Sequence, residues 1–144
     1  MSVLTDIADA VVAELNAETW SMEFEAEVKY LPVEPHEDLA SLQVSVLPRG
    51  EDLTLDTRRD TIHEYRVPVL IQKRVDWAEG KADPVEMAAL LGLCEELSDH
   101  FIKLQLDDPS AACMAIEQDP AFIPENLEAH EFAAVLMMTW RLWR

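Results

Sequence analysis

Hydrophobic positions follow a helical period in two segments of the chain. In residues 2–17, apolar side chains recur at the spacing of one helix face: Leu4, Ile7, Ala8, Val11 and Leu15. A second stripe alternates spacings of three and four: Met87, Leu90, Cys94, Leu97, Phe101 and Leu104. Both segments predict amphipathic helices that pack one face on a core.

The second helix has a recognisable beginning. Asp83 precedes Pro84, and Glu86 follows at the third helical position. Aspartate accepts hydrogen bonds at an N-cap, and proline suits the first helical position because its missing N–H is unpaired there anyway. Glutamate three residues after the N-cap is typical of a capping box. We therefore expect the helix to begin at Pro84.

Elsewhere the period is two, which is typical of strands with one buried face. Apolar residues alternate with charged ones in "EFEAEVKY" (23–30) and with uncharged polar ones in residues 41–48. The alternation returns in residues 64–72. Pro68 lies inside the third of these segments and cannot donate to a strand ladder, so its side of the strand should be an edge or a bulge. The run "CMAIE" (113–117) is a further short candidate strand.

The last run, "EFAAVLMMTWRLWR", fits both periods. Phe132, Val135, Leu136 and Trp140 suit a helix, whereas Leu136, Met138, Trp140 and Leu142 suit one face of a strand. Composition leaves residues 131–144 open between the two.

The order of elements predicts an α+β fold in a single domain spanning residues 1–144. We expect a mostly antiparallel sheet of four to five strands, two helices packed on one of its faces and a long β-hairpin loop. That loop is an extended polar segment at about residues 49–61. A hairpin closes with about two to five residues, so this connection is unusually long.

The net charge argues against some classes of function. The chain carries −18 at pH 7 with 49% hydrophobic residues and three glycines. Acidity of this size opposes a general affinity for phosphate backbones, which requires clustered Lys and Arg, and the hydrophobic content argues against disorder. The first residues are acidic where a signal peptide is basic, and the longest apolar run, "FAAVLMM", is too short to span a bilayer. These features predict a cytoplasmic protein without a membrane segment.

Catalytic and metal-binding patterns are weak. Histidines neighbour acidic residues at 36–38, 63–64, 99–100 and 128–131. Neighbours in sequence point apart on a regular element, which favours solvated surface over a site. Nucleophile elbows, phosphate loops and dinucleotide fingerprints are missing from the sequence, and Cys94 and Cys113 suit buried, reduced thiols better than a disulfide or a zinc site. We predict no catalytic, cofactor-binding or metal-binding residue, and the protein is not expected to be an enzyme.

The terminal "WRLWR" combines Trp140 and Trp143 with Arg141 and Arg144. Aromatic and cationic side chains can stack and bind single-stranded bases, but two arginines in so acidic a chain make a weak site. Core packing or a subunit interface is the favoured interpretation.

Five segments together resemble the tail terminator, or tail-completion, proteins of long-tailed bacteriophages and prophages. They are "IADAVVAELNA", "LQVSVLPRG", the loop through "TLDTRRD", "EYRVPVLIQKRVD" and "EMAALLGLCEELSDHF", which cover most of the chain. The resemblance implies an α+β subunit that forms a ring, usually a hexamer, and caps the finished tail tube. It implies a structural role at the head-proximal end of the virion tail after assembly in the host cytoplasm.

Within this resemblance the long loop is a partner-binding element. Its candidate residues are Arg49, Glu51, Asp52, Asp56, Arg58, Arg59 and Asp60. The three arginines would be recognition charges for acidic groups on a neighbouring subunit or on the tube protein. Implied partners are further copies of the chain, the tail tube protein and the head–tail connector proteins. DNA would pass through the ring without sequence-specific binding.

Three alternatives remain open at the level of sequence. A neck protein of the head–tail connection would share most of these features. An acidic DNA mimic that inhibits a DNA-binding protein accounts for the charge, although the arginines of the loop would repel a basic target. A metal-dependent hydrolase would use the acidic and histidine clusters, and predicts stoichiometric metal binding.

Overall fold

The computed structural model describes residues 2–30, 39–55, 61–107, 110–118 and 120–143. Within these ranges the helices are α1 (Val3–Ala17), α2 (Pro84–Phe101) and α3 (Pro124–Glu128). The strands are β1 (Ala26–Val28), β2 (Gln43–Val46), β3 (Gly50–Leu55), β4 (Thr61–Arg74), β5 (Trp77–Ala78), β6 (Lys81–Ala82), β7 (Gln105–Asp107), β8 (Ser110–Glu117) and β9 (Glu131–Trp143).

Seven strands form one mixed sheet in the order β1-β2-β4-β9-β8-β7, with β3 also pairing with β4. All neighbours are antiparallel except β1 and β2. The expected α+β class and mostly antiparallel sheet are confirmed, but the sheet has more strands than the expected four to five. Two additions account for the difference. β3 arises within the segment interpreted as a loop, and β7 follows Leu104, the last residue of the predicted second stripe, because α2 ends earlier at Phe101.

The C-terminal run is a strand. β9 pairs with β4 from Ile62↔Trp143 to Arg74↔Glu131, and β8 pairs along its other side. Alternate residues of β9 are fully buried: Phe132, Ala134, Leu136, Met138 and Trp140. Pairing with β4 along the whole run, and with β8 at residues 137–141, satisfies backbone groups, and that selects the strand over the helix.

Both predicted helices contribute to one core on one face of the sheet. From α1 the buried residues are Ile7, Ala8, Val11 and Leu15. From α2 they are Leu90, Leu93, Cys94, Leu97 and Phe101. The Phe101 ring meets the Trp140 indole edge to face, with ring centroids 6.3 Å apart and an interplanar angle of 84°. These contacts join α2 to the centre of the sheet.

The beginning of α2 is as predicted in two of its three features. The Asp83 carboxylate accepts a hydrogen bond from the Val85 N–H at 3.1 Å, and Pro84 is the first helical residue. Glu86 does not close a capping box. Its Oε1 lies 2.6 Å from Lys73 Nζ and its Oε2 accepts from the Asp76 N–H at 3.3 Å. A lysine on the neighbouring strand thus attracts the carboxylate away from the N-cap.

The register of the hairpin changes beside Pro68. Val46 pairs with Val69, and Gly50 pairs with Arg66, so the β2–β3 side takes four residue steps where β4 takes three. The extra residue makes a β-bulge. Leu47 N–H donates to the Pro68 carbonyl at 3.0 Å, and proline has no N–H to return a bond. Pro68 therefore lies opposite an interruption of the ladder, as predicted.

The long polar loop is mostly a strand, which corrects the expectation of an extended loop at 49–61. Residues 50–55 pair with residues 61–66 in continuous register. Only residues 56–60 separate the two strands, a connection of ordinary hairpin length. The strand is polar apart from Leu53 and Leu55, and it lies at an edge of the sheet, where a longer apolar alternation is not required.

Removing the Phe101 ring should unfold the protein more easily. We expect Phe101→Ala to lower the free energy of unfolding by about 3–5 kcal/mol, because the fully buried ring leaves a cavity against Trp140. Urea denaturation followed by tryptophan fluorescence measures this. The control Val85→Ala, at a side chain 78% exposed on the same helix, should change it by about 0.5 kcal/mol or less. Equal effects would contradict the packing described.

The two cysteines predict a loss of stability in alkali. Both are free and buried, and desolvation raises the pKa of each thiol from 9.0 to about 11. The unfolded chain therefore loses thiol protons above about pH 9 that the folded chain retains, so the stabilisation present below pH 9 is lost as the pH rises toward 11. As the pH rises from about 9 to about 11, the urea midpoint should fall less in Cys113→Ala than in the unchanged protein. Parallel pH profiles would contradict the shift.

Candidate partner-binding hairpin

The candidate site is a hairpin arm, defined as β3 together with residues 61–66 of β4. Along its inner side, β9 pairs with β4 as far as Ile62. Along its outer side, no strand pairs with β3 among the described residues. An edge strand has unpaired backbone donors and acceptors, which makes it a natural docking element for another chain.

The sequence-predicted site residues have different positions on the arm. Arg49 is exposed directly before β3, and its N–H donates to the Arg66 carbonyl at 3.1 Å. Glu51 is exposed on β3, where Asp52 pairs with Glu64 through the backbone. The remaining four residues lie outside the described part of the chain: Asp56, Arg58, Arg59 and Asp60.

Cross-strand contacts between polar side chains occupy both faces of the arm. On one face, His63 Nδ1 lies 2.8 Å from Glu51 Oε1, and the imidazole stacks on Tyr65 with ring centroids 6.3 Å apart. On the other, the Arg141 guanidinium donates to Glu64 Oε1 at 2.9 Å. These side chains bind each other across strands. Arg49 is exposed, and it forms no ion pair within the described ranges.

The missing side chain of Gly50 leaves space on the arm for the guanidinium of Arg66. A Cβ built at Gly50 would lie 2.8 Å from Arg66 Nη2, closer than ordinary contact permits. Arg66 is exposed and pairs with Gly50 across the ladder, so its side chain lies over the glycine. Arg66 therefore lies next to Arg49 at the bulge, and the two cations share one end of the arm.

An acidic surface lies beside β1, at the far end of β2 from the arm. One cleft of about 480 Å³ is lined by Glu23, Phe24, Glu25, Glu27, Ser41, Leu42 and Gln43. A neighbouring cleft of about 350 Å³ is lined by Glu18, Thr19, Trp20, Met22, Glu23 and Phe24. Carboxylates that alternate with aromatic and methionine side chains suit a cationic partner.

Sequence reasoning missed this surface. "EFEAEVKY" predicts a regular strand through residue 30, with one buried face. Only Ala26–Val28 forms a strand, and Tyr30 is 73% exposed. The signal in the sequence is the density of glutamates at positions 18, 23, 25 and 27, the last three of which alternate as the solvated side of a strand does.

In the fold, the described histidines contact residues other than the acidic residues next to them in the sequence. His63 binds Glu51 rather than Glu64. His100 Nε2 lies 2.8 Å from Glu14 Oε1, on a different helix. His130 stacks on Trp77, with ring centroids 4.5 Å apart. The cluster at 36–38 lies outside the described residues.

The terminal aromatic segment is part of the sheet. Trp140 is fully buried against Phe101, which confirms the core interpretation for this residue. Arg141 binds Glu64, and Arg144 lies outside the described ranges. Trp140 is therefore not accessible for stacking on bases.

No protein-family model matches the chain, and no curated protein sequence matches it. Among the helices of the described residues, none has both the length and the apolar character needed to cross a membrane.

The Glu64–Arg141 ion pair of the arm should contribute little to the free energy of unfolding. A double-mutant cycle with Glu64→Gln and Arg141→Gln should give a coupling of about 0.2–1 kcal/mol, because both side chains are nearly one-third exposed and water screens them. Urea denaturation at low and high NaCl measures the coupling, which should fall as salt rises. A cycle between Glu64→Gln and Lys81→Gln is the control and should show no coupling. A coupling above about 2 kcal/mol would mean that the fold requires the pair.

Proposed function

We propose that this chain is a structural subunit of a bacteriophage or prophage virion, a tail terminator that assembles as a ring and caps the tail tube. The observation that supports this most is the hairpin arm, an edge strand preceded by an exposed arginine. A catalytic step is not part of this role. The subunit would assemble in the host cytoplasm and remain at the head-proximal end of the tail.

The arm has the properties of an assembly element. Its outer strand offers backbone hydrogen bonds, which give affinity to any chain that pairs with it. Arg49 at its base and Arg58 and Arg59 in the connection add positive charges to a chain of net charge −18. In a strongly acidic chain, the few positive side chains determine where an acidic partner can bind and in which orientation. The acidic surfaces elsewhere on the molecule repel such a partner.

The acidic surface beside β1 is a suitable acceptor for these arginines. It lies at the end of the β2–β3 side of the sheet away from the arm, where β1 pairs outside β2. A contact between the arm of one copy and the acidic surface of the next joins two different patches. Such heterologous contacts close into rings when the rotation between copies permits, and a hexamer is the expected size.

Electrostatics also fits a ring through which DNA passes. Six copies would carry a net charge of about −108. Carboxylates that face the channel repel phosphates and keep passing DNA from binding the wall. The tail tube protein and the head–tail connector proteins would contact the two faces of the ring.

Removing the arginines should weaken assembly without unfolding the subunit. We expect Arg58→Ala/Arg59→Ala, with or without Arg49→Ala, to leave the thermal midpoint nearly unchanged and to reduce ring formation or tube binding. Light scattering across protein concentration and salt measures the mass, and co-sedimentation with assembled tail tubes measures capping. The control Lys81→Ala/Lys103→Ala removes two exposed positive charges elsewhere.

Three results would contradict the proposal. Normal assembly of the arginine variants with a large loss of stability would make these residues structural. An equal loss in the control would indicate a general effect of net charge. A strict monomer at every salt concentration that also fails to bind tubes would favour an acidic inhibitor of a DNA-binding protein.

A further inference from the structure

The ends of α1 and α2 bring together three side chains that can bind a metal ion. Glu14 lies in the last turn of α1, Glu18 is its C-cap residue, and His100 lies in the last turn of α2. One ligand atom from each residue lies within 4.8 Å of the other two. The cluster is formed by the packing of the helices, because His100 is more than eighty residues from the glutamates.

The His100 imidazole is held in place on several sides. Its Nε2 lies 2.8 Å from Glu14 Oε1. The Trp20 ring meets it edge to face, with centroids 5.2 Å apart, and Phe101 does so at 5.3 Å. Trp20 is itself anchored, since its indole N–H donates to the Leu15 carbonyl at 2.8 Å. A ligand whose ring orientation is fixed loses little entropy when it binds a metal.

Electrostatics at this position favours a cation. Both helices end here, and each contributes the negative end of its dipole. The last turn of α1 contains no basic residue, and Glu14 and Glu18 are one helical turn apart, a spacing at which like charges repel. On α2, Asp99 is exposed next to His100, and the Glu96 carboxylate accepts hydrogen bonds from Ser21. The last turns of the two helices and the α1 C-cap therefore carry more carboxylates than cationic side chains.

We propose that Glu14, Glu18 and His100 bind one divalent transition-metal ion of the zinc class, which clamps the end of α1 to the end of α2. Imidazole nitrogen and carboxylate oxygen are zinc ligands at about 2.0–2.2 Å, which separates two ligands of a tetrahedral ion by about 3.4 Å. The Glu14–His100 contact at 2.8 Å therefore opens by about half an ångström when the ion enters. Water completes the coordination. The imidazole ligand disfavours magnesium and calcium, which prefer oxygen. This site does not rest on the proposed function.

Calorimetric titration of the chelator-treated full chain with zinc chloride tests the site. We expect one ion per chain and a rise in the thermal midpoint with zinc concentration, because the ion binds the folded state. Glu18→Gln and His100→Gln should each weaken zinc binding by about tenfold or more. Glu18 is exposed, so its variant should keep the urea midpoint of the unchanged protein when no metal is added.

Two controls identify the binding residues. Glu95→Gln removes an exposed carboxylate from α2 outside the cluster and should bind zinc as the unchanged protein does. Magnesium chloride at equal concentration reports general screening of the net charge and should give a smaller shift of the thermal midpoint. The proposal is overturned if zinc does not bind, if Glu18→Gln and His100→Gln bind it normally, or if Glu95→Gln loses as much affinity as they do.

Discussion

The pairing of β4 with β9 is the constraint on which the rest of the structure depends. It runs without interruption from Ile62↔Trp143 to Arg74↔Glu131. β2, β3 and β8 pair directly with one of these two strands, and β1 and β7 are added outside β2 and β8. β2 and β3 extend the sheet on one side, and β8 followed by β7 extends it on the other. Both long helices pack on the face where alternate residues of the two strands are buried. Losing this pairing would remove the surface that organises the core.

The same pairing makes the arm possible. The centre of β4 is buried on both faces, since Val69 and Leu70 are each 5% exposed or less. Toward Thr61 the strand passes beyond this region, and its side chains are only partly buried. The bulge opposite Pro68 marks the change and shifts the partner strand by one residue. The sheet thus continues into a polar arm whose outer strand has no partner strand among the described residues.

Histidine contacts illustrate how packing changes the meaning of local patterns. His63 and His100 each bind a glutamate from another element, twelve and eighty-six residues away. Their acidic neighbours in sequence bind elsewhere or face solvent. For His100 the result is a cluster with Glu14 and Glu18 that neither helix contains alone. The candidate metal site and the acidic surface share Glu18, so the region around the end of α1 combines two possible roles for negative charge.

Local sequence determined the features that depend on one element: the two helices, the faces they bury, the Asp83 cap, the two buried thiols and the interruption at Pro68. Of the candidate site it placed Arg49 and Glu51 on exposed positions, and Asp56, Arg58, Arg59 and Asp60 lie outside the described residues. Tertiary structure decided the rest. Residues 131–143 satisfy both periods, and only pairing with β4 and β8 selects a strand. Residues 50–55 contain only a short apolar alternation, Leu53 and Leu55 on either side of Thr54, and pairing with β4 makes them a strand. Periodicity reports which side of an element is buried, whereas register, edges and convergent side chains depend on partners distant in the chain.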